Sequence, residues 1–377
     1  MKPTLQALRR AKRVGNSAIN RFLEAHRFPL AEPGQVTFVY RGEADAVHLQ
    51  HWVHGLPGGL PFQRLEHTDL WYLELDMPDR SRVEYKIEVV AKGHSHWILD
   101  PLNPRQAADP YGSNSVCWAH GYEPPEWATV DASVRAGSLE EVQIVTAAGR
   151  PKRIRVYLPA RFRRTRRYPL LVLHDGGDFL RYGDLQPALD NLIHRLALPE
   201  LVVALDEPGQ RTVEYVGSEP HARYLSHDLL DGLERALPLI SSPAARGLVG
   251  ASLGAVASLH AAWSFPNRWG LLGLMSGSFA FTDIGVHRRG PIFDPVVEFV
   301  NAFRREPGQP AEKVFVSCGR YESLIYENRS LVPLLQAQGV DVRYREARDG
   351  HHWQNWRDQL RDCLGWLYPG PAWLVYD

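Results

Sequence analysis

The chain has 377 residues, of which 44% are hydrophobic and 23% are charged, as in an ordinary globular protein. Its 43 basic residues balance its 43 acidic residues, so no net charge favours binding to nucleic acid or anionic lipid. The 3 cysteines are widely spaced and lack the paired spacing of a zinc site or redox disulfide, which favours a reducing, cytoplasmic location. At roughly 150 residues per domain, the length predicts two domains.

The N-terminal residues alternate apolar and basic side chains at helical spacing. We predict an amphipathic helical segment over residues 1–30 that packs on its own domain, with an interruption at Gly15 and Asn16. The segment lacks the apolar run of a signal peptide, and no stretch of the sequence approaches the roughly 20 apolar residues of a membrane span. We therefore expect no membrane span.

Residues 31–125 have a different pattern, in which apolar and polar residues alternate with period two between turn signals. This pattern is typical of an antiparallel β-sandwich. Within it, the stretch DPLNPRQAADPYGSNSVCW over residues 100–118 is rich in Pro, Asn and Gly, and we expect it to be an irregular, extended cover. Residues 126–138 are interpreted as a linker between domains.

Residues 139–377 alternate short apolar runs with segments of helical length. This alternation predicts an α/β domain with a mostly parallel sheet and helices on both faces. Five helices are expected, at residues 185–197, 221–238, 253–264, 326–338 and 353–367. Ligands in such folds bind at the carboxyl ends of the strands.

The stretch Gly250-Ala251-Ser252-Leu253-Gly254 matches the G-x-S-x-G nucleophile elbow. An apolar run precedes it and a helix-prone segment follows it, which is the context that the motif requires. The sharp turn exposes the serine hydroxyl, and the small flanking residues let strand and helix approach each other. We therefore predict Ser252 as a nucleophile.

A serine nucleophile needs a base to accept its proton and an acid to orient that base. In this fold the order is serine, acid, histidine. His351 is the predicted base, with His352 the alternative that packs or faces solvent. Glu322, just after a predicted strand, is the predicted acid, and Asp349 remains open as its competitor.

A tetrahedral intermediate also needs two N–H donors for its oxyanion. Leu253 follows the nucleophile at the positive end of a helix and is predicted to supply one donor. The second is expected from the loop LHDGGDF, where Gly177 is our choice and Gly176 and Asp178 are alternatives.

Several of these motifs resemble the enterochelin (enterobactin) esterase-like family, in the esterase-D-like branch of the α/β-hydrolase superfamily. They are RIRVYLP, YPLLVLHDGGDF, LDEPGQRTVEY, GASLGA, MSGSF, GRYESLIYENRSL and DGHHWQNW. The resemblance implies an α/β-hydrolase catalytic domain behind an early-set, immunoglobulin-like sandwich, with the same serine, acid and histidine. It also implies that Arg211, Tyr215 and Arg320 bind substrate, although a loop salt bridge is the alternative for Arg211. The family often has glycine at the position of Asp349, which leaves the choice between His351 and His352 open.

The expected function is that of a serine carboxylic ester hydrolase that forms an acyl-enzyme on a catecholate siderophore. We expect a small-molecule ester substrate, with a ferric siderophore as one candidate, and no cofactor, metal or nucleic acid. Two histidines in the stretch GHSHW are a weak metal signal. The alternatives are a feruloyl or acetyl esterase acting on carbohydrate-linked esters, and a non-catalytic binding protein of the same fold. The oligomeric state stays open.

Overall fold

The computed structural model describes residues 4–282, 286–287 and 289–368. Residues 1–3 of the predicted helical segment and 369–377 of the predicted catalytic domain therefore lie outside the described residues. The chain forms two compact units. The first comprises Met1–Pro124, Arg320–Ser323 and Ala347–His352, and the second comprises Pro125–Gly319, Leu324–Glu346 and Trp353–Asp377.

The first unit begins with two helices, α1 (Leu5–Arg10) and α2 (Asn16–Ala25). Gly15 is the N-cap of α2, so the predicted interruption is confirmed. The apolar faces of both helices are buried in a cluster with strand residues that include Val39 and Leu70. The amphipathic pattern therefore reflects packing within this unit, as predicted.

The strands of the first unit form two sheets, ordered β1-β2-β6-β5 and β4-β3-β7-β10-β9, with β8 also paired to β7. The strands are β1 (Leu30–Glu32), β2 (Gln35–Arg41), β3 (Ala46–His51), β4 (Gly59–Pro61), β5 (Gln63–Arg64), β6 (Leu70–Asp76), β7 (Arg82–Ala91), β8 (His94–Ile98), β9 (Gln106–Asp109) and β10 (Gly112–Trp118). Phe38 of one sheet packs edge-on against Tyr85 of the other, with ring centroids 4.9 Å apart, inside a shared core. Both sheets therefore bury their apolar faces against each other.

One expectation for this unit is wrong. Much of the stretch predicted to be an irregular cover is the antiparallel hairpin of β9 and β10, and β10 also pairs with β7. The side chains of Val116 and Cys117 are buried in the sheet. Most of the turn residues mark the ends of the strands: Pro101, Asn103 and Pro104 precede β9, and Pro110 lies in the hairpin loop before Gly112, the first residue of β10.

The second unit contains one eight-stranded sheet in the order β11-β12-β14-β13-β15-β16-β17-β18. Its strands are β11 (Ser138–Val145), β12 (Pro151–Leu158), β13 (Leu170–His174), β14 (Val202–Asp206), β15 (Arg246–Ala251), β16 (Leu271–Met275), β17 (Lys313–Gly319) and β18 (Asp341–Ala347). The first two form an antiparallel hairpin, and β12 is antiparallel to β14. Parallel pairing joins β14 to β13, β13 to β15, β15 to β16 and β16 to β17. The prediction that this unit has an α/β fold is confirmed, and its sheet is mixed.

The helices of the second unit cover both faces of this sheet. They are α3 (Gly176–Tyr182), α4 (Leu185–His194), α5 (Arg211–Glu214), α6 (Glu219–Arg223), α7 (Leu230–Ala236), α8 (Leu253–Ser264), α9 (Asp294–Arg305), α10 (Ile325–Ala337) and α11 (Trp353–Leu367). One core cluster joins strand residues to α7, α8, α9 and α10, and a second joins strand residues to α3, α4 and α11. Every residue of β13, β14 and β16 is buried, which explains why the sequences of these strands are almost entirely apolar.

The residues predicted to be a linker are partly packed against this unit. Trp127 and Ala128 are buried in its second core cluster. The side-chain amide of Asn191 donates hydrogen bonds to the carbonyl oxygens of Trp127 and Thr129, at 2.9 and 2.7 Å. This part of the linker is therefore held in place. None of the described helices is long and apolar enough to cross a membrane.

Candidate active site

Ser252 occupies the turn between β15 and α8. Its backbone has φ 58° and ψ −120°, a conformation that non-glycine residues rarely adopt. The turn is held by two backbone hydrogen bonds: the Ser252 N–H donates to the carbonyl of Met275, and the Ser278 N–H donates to the carbonyl of Ser252. The half-buried side chain lies with its Oγ 3.2 Å from the Oγ of Ser278. The surrounding structure thus maintains a strained conformation at the serine.

The glycines around the serine allow strand and helix to approach closely. A Cβ atom at Gly250 would overlap the backbone carbonyl of Gly254, which cannot move aside without displacing α8. A Cβ at Gly254 would lie 3.1 Å from the Cβ of His174 on β13, a tight but less severe contact. The requirement for glycine is therefore strongest before the serine.

Leu253 is the first residue of α8. Backbone N–H groups in the first turn of a helix have no carbonyl partner within the helix, and they lie at the positive end of its dipole. The N–H of Leu253 is therefore available to a developing negative charge beside Ser252.

Gly177, the second predicted oxyanion donor, lies in the first turn of α3, just after β13. Asp175 precedes it in the left-handed region, with φ 52° and ψ 40°, and turns the chain from strand to helix. The N–H of Gly177 donates to Oε1 of Glu207. Glu207 follows β14, and burial raises the pKa of its carboxyl group. In this conformation the N–H of Gly177, the predicted oxyanion donor, is thus already hydrogen-bonded to a carboxyl group.

Arg211 binds the carboxylate of Asp175 as a fork. Its Nε lies 3.0 Å from both carboxylate oxygens, and one terminal nitrogen lies 2.9 Å from Oδ2. Asp175 is buried, whereas 38% of the Arg211 side chain is exposed. The geometry matches the loop salt bridge that was the alternative to substrate binding, and it orients the turn that carries Gly177.

Tyr215 is fully buried. Its hydroxyl accepts a hydrogen bond from the backbone N–H of Asp175 and donates one to Oδ2 of Asp206, each at 3.3 Å. The predicted role of Tyr215 in binding substrate therefore has no support in this conformation.

His351 and Glu322 meet in the first unit. Nδ1 of His351 lies 2.7 Å from Oε2 of Glu322. Only 1% of the Glu322 side chain is exposed, compared with 38% of that of His351. A buried carboxylate on Nδ1 orients the imidazole and leaves Nε2 as the proton acceptor, the arrangement that a general base requires. Glu322, rather than Asp349, is the carboxylate that contacts His351.

Asp349 has a different partner. Both of its oxygens accept hydrogen bonds from the guanidinium of Arg82, at 3.0 and 3.1 Å, and Arg82 is fully buried. Arg82 also pairs with Glu84 at 2.5 Å. Nδ1 of His352 lies 3.4 Å from Glu84, and burial lowers the pKa of His352 to about 4. Asp349 and His352 thus belong to a buried ionic network, as the packing alternative for His352 anticipated.

Arg320, the third predicted substrate-binding residue, is exposed in the first unit, and its N–H donates to the carbonyl of Ala347. Sequence reasoning missed Glu207 and Arg82. Glu207 was detectable as an acidic residue directly after an apolar strand. Arg82 gave no signal, because its partner Asp349 is 267 residues away in the chain.

The chain matches the model of the esterase family described as "Putative esterase" over residues 145–367, more than half of its length. The chain belongs to this esterase family. Among curated relatives, an acetyl esterase from Caldicellulosiruptor saccharolyticus is 34% identical over 68 residues, covering 18% of this chain and 25% of the relative. The iron(III) enterobactin esterase of Escherichia coli is 26% identical over 200 residues, covering 52% of this chain and 48% of the relative. The matched region thus spans a quarter of the length of the acetyl esterase and about half of the length of the enterobactin esterase.

Solved structures extend the likeness to the fold. The enterobactin esterase from Shigella flexneri, solved in the presence of enterobactin, aligns with a TM-score of 0.73 at 18% identity, covering 97% of this chain and 100% of that one. A ferulic acid esterase aligns with a TM-score of 0.53 at 18% identity, covering 62% of this chain and 98% of that one. Together with the family match, these results confirm the resemblance predicted from the sequence.

Proposed function

We propose that this chain is a serine esterase that hydrolyses the ester bonds of a catecholate siderophore through an acyl-enzyme. The observation that carries the proposal is the strained turn at Ser252, because such strain persists only where the surrounding structure imposes it and is concentrated at functional sites. We assign the second unit to the α/β-hydrolase fold on the basis of this turn and the surrounding parallel strands. An early-set identity for the first unit, the cytoplasmic location and the predicted domain boundaries stay predictions.

In the proposed mechanism, Ser252 attacks the ester carbonyl and His351 accepts its proton. Glu322 holds the imidazole in the required tautomer and stabilises its protonated form. His351 then returns the proton to the leaving alkoxide, and a water molecule activated by the same imidazole hydrolyses the acyl-enzyme. The chain order supports this assignment: Ser252 follows β15, Glu322 follows β17 and His351 follows β18.

The oxyanion of each tetrahedral intermediate would accept hydrogen bonds from the N–H groups of Leu253 and Gly177. Each such donor is worth about 10²- to 10³-fold in rate. Glu207 must leave Gly177 before this donor can act, since one N–H cannot serve two strong acceptors well. Arg211 would hold the Asp175 turn in place, and Arg320, which is exposed, is the better placed of the two arginines to meet an anionic group of the substrate.

We choose a siderophore ester because of the share of this chain that aligns with each solved esterase. The enterobactin esterase from Shigella flexneri aligns with 97% of this chain, whereas the ferulic acid esterase aligns with 62%. The N-terminal sandwich is thus part of the likeness only in the first case. Trp52 and Trp97, which are 46% and 54% exposed on the first unit, offer aromatic faces for catechol rings. Trp71 is 6% exposed and belongs to the core, so it offers no such face.

A fluorophosphonate probe tests the serine mechanism. We expect the wild-type chain to be labelled and Ser252→Ala to be unlabelled, with kcat reduced by up to about 10⁶-fold. Ser264→Ala, a change at the far end of the same helix, serves as the matched control and should retain both label and activity. His351→Gln should lose activity and His352→Gln should retain it. Labelling that survives in Ser252→Ala would contradict the assignment, and a correctly folded wild type without label would favour the non-catalytic binding protein.

The substrate class requires a separate comparison. We expect kcat/KM for a catecholate trilactone to exceed that for a feruloylated sugar and for a short p-nitrophenyl ester. A preference for the feruloylated sugar would select the alternative function while leaving the serine mechanism intact.

A further inference from the structure

A buried polar cluster in the second unit has no part in the proposed mechanism. It consists of His174, Asp206 and His221, and each residue offers a ligand atom within 4.8 Å of the others. His174 and Asp206 end the adjacent parallel strands β13 and β14, where they are register partners, and His221 lies on α6. Two strand ends and a helix therefore converge on one buried point.

Both imidazoles have an unsatisfied nitrogen. Nε2 of His174 and Nε2 of His221 are buried without a hydrogen-bond partner among the described residues. Leaving such a buried group unpaired is unfavourable, so each unpaired nitrogen requires an explanation.

The contacts of the other ring nitrogen indicate what Nε2 offers. Nδ1 of His174 lies 3.3 Å from the carbonyl oxygen of Val249 and 3.2 Å from Oγ of Ser258, whose hydroxyl donates to the carbonyl of Gly254. Nδ1 of His221 lies 3.4 Å from a carboxylate oxygen of Glu214. An acceptor beside Nδ1 favours the tautomer with its proton there, so each Nε2 presents a lone pair.

Asp206 supplies a third set of lone pairs. The residue is fully buried, and Nε2 of His221 lies 3.7 Å from its Oδ2. In this tautomer both atoms are acceptors, so no proton joins them. The hydroxyls of Tyr215 and Tyr224 donate to Asp206 over 3.3 and 3.4 Å, and the ammonium of Lys152 lies 3.8 Å away. All of these contacts are long for a buried carboxylate.

We propose that His174, Asp206 and His221 bind a divalent transition metal ion of the Zn²⁺ class. Two neutral imidazoles and a carboxylate are a common zinc ligand set, whereas Mg²⁺ and Ca²⁺ favour oxygen ligands. Tetrahedral bonds of about 2.0–2.1 Å place ligand atoms about 3.4 Å apart, close to the 3.7 Å between His221 and Asp206. The partners on Nδ1 then act as the outer hydrogen bonds that orient metal-bound histidines. The ion would tie β13 and β14 to α6 directly before the Asp175 turn.

Metal binding by the full-length chain tests the proposal. After treatment with EDTA and its removal, the chain is titrated with Zn²⁺ and, separately, with Co²⁺. We expect one bound ion per chain, a visible Co²⁺ absorption band typical of a four-coordinate site and a higher Tm. His221→Gln and Asp206→Asn should each weaken binding by about 10-fold or more. The matched control is the double change His94→Gln, His96→Gln, which removes two exposed histidines and should leave binding unchanged.

Three results would overturn the proposal: a wild-type chain whose Tm and Co²⁺ spectrum do not respond to metal, binding that the control abolishes, or binding that folded His221→Gln retains. The first result would leave the ammonium of Lys152, 3.8 Å from Asp206, as the cation that compensates this carboxylate among the described residues. If circular dichroism shows that His221→Gln does not fold, metal binding by Asp206→Asn and the Co²⁺ spectrum of the wild type test the proposed site instead. None of these measurements depends on ester hydrolysis, so the result is independent of the proposed function.

Discussion

At the scale of single residues, Glu207 has an unexpected relation to the proposed chemistry. Its carboxylate accepts the N–H of Gly177, the group predicted to bind the oxyanion. Removal of this competitor should increase kcat/KM about five-fold, which corresponds to the ~1 kcal/mol net value of one hydrogen bond. Ester hydrolysis by Glu207→Ala, compared with the wild type, measures the effect.

A matched control for this change is Glu200→Ala, which removes a carboxylate that pairs with Arg166 on the same unit. Its kinetics should equal those of the wild type. If Glu207→Ala lowers kcat/KM while the chain stays folded, Gly177 is not a donor that Glu207 blocks, and Gly176 or Asp178 becomes the candidate.

At the scale of elements, the spacing of β15 and α8 depends on the absence of a side chain at Gly250. A Cβ there meets backbone rather than the flexible end of a side chain, so relief requires movement of the helix. Gly250→Ala should lower the free energy of unfolding by about 1–3 kcal/mol or more.

Chemical denaturation of Gly250→Ala and Gly254→Ala compares the two positions directly. Gly254→Ala should cost less, because its Cβ lies 3.1 Å from one side-chain atom and because alanine favours the helix that Gly254 occupies. Equal losses of stability would show that close approach of strand and helix does not explain the glycine before the serine.

At the scale of the whole molecule, buried neutral histidines make stability depend on pH. His260 on α8 packs edge-on against Phe299 with ring centroids 4.7 Å apart, and burial lowers its pKa to about 4 from the ordinary 6.5. Between these values the unfolded chain binds the extra proton, so stability is fully present above pH 6.5 and is lost as the pH falls towards 4. Each unit by which the two pKa values differ corresponds to ~1.4 kcal/mol.

Thermal unfolding over this pH range tests the contribution of His260. His260→Gln cannot gain a charge, so its Tm should fall less steeply with acid than that of the wild type. His94→Gln, at an exposed position, should follow the wild-type slope. Parallel slopes for all three chains would mean that His260 is protonated without cost in the folded state.

Local patterns were sufficient for much of this molecule. The elbow around Ser252 was evident because the motif, the apolar strand and the helix are contiguous, and the predicted helix at residues 253–264 coincides with α8. Glu322 follows β17 and His351 follows β18, where the sequence predicted the strands KVFVSCG and VDVRYREA. The hairpin of β9 and β10 was missed because its turn residues outnumber its buried apolar residues.

The alternation of strands and helices in the second unit and the residues that surround Ser252 could be predicted from the sequence, because they depend on neighbours in the chain. Three other features became visible only in the folded chain. Glu322 contacts His351 while Asp349 contacts Arg82, Glu207 accepts the N–H of Gly177, and His174, Asp206 and His221 converge. These choices depend on which side chains remain unpaired after burial. Burying a charge or a ring nitrogen costs free energy unless a partner pairs with it, and these partners are distant in the chain. No local sequence pattern therefore predicts the pairing.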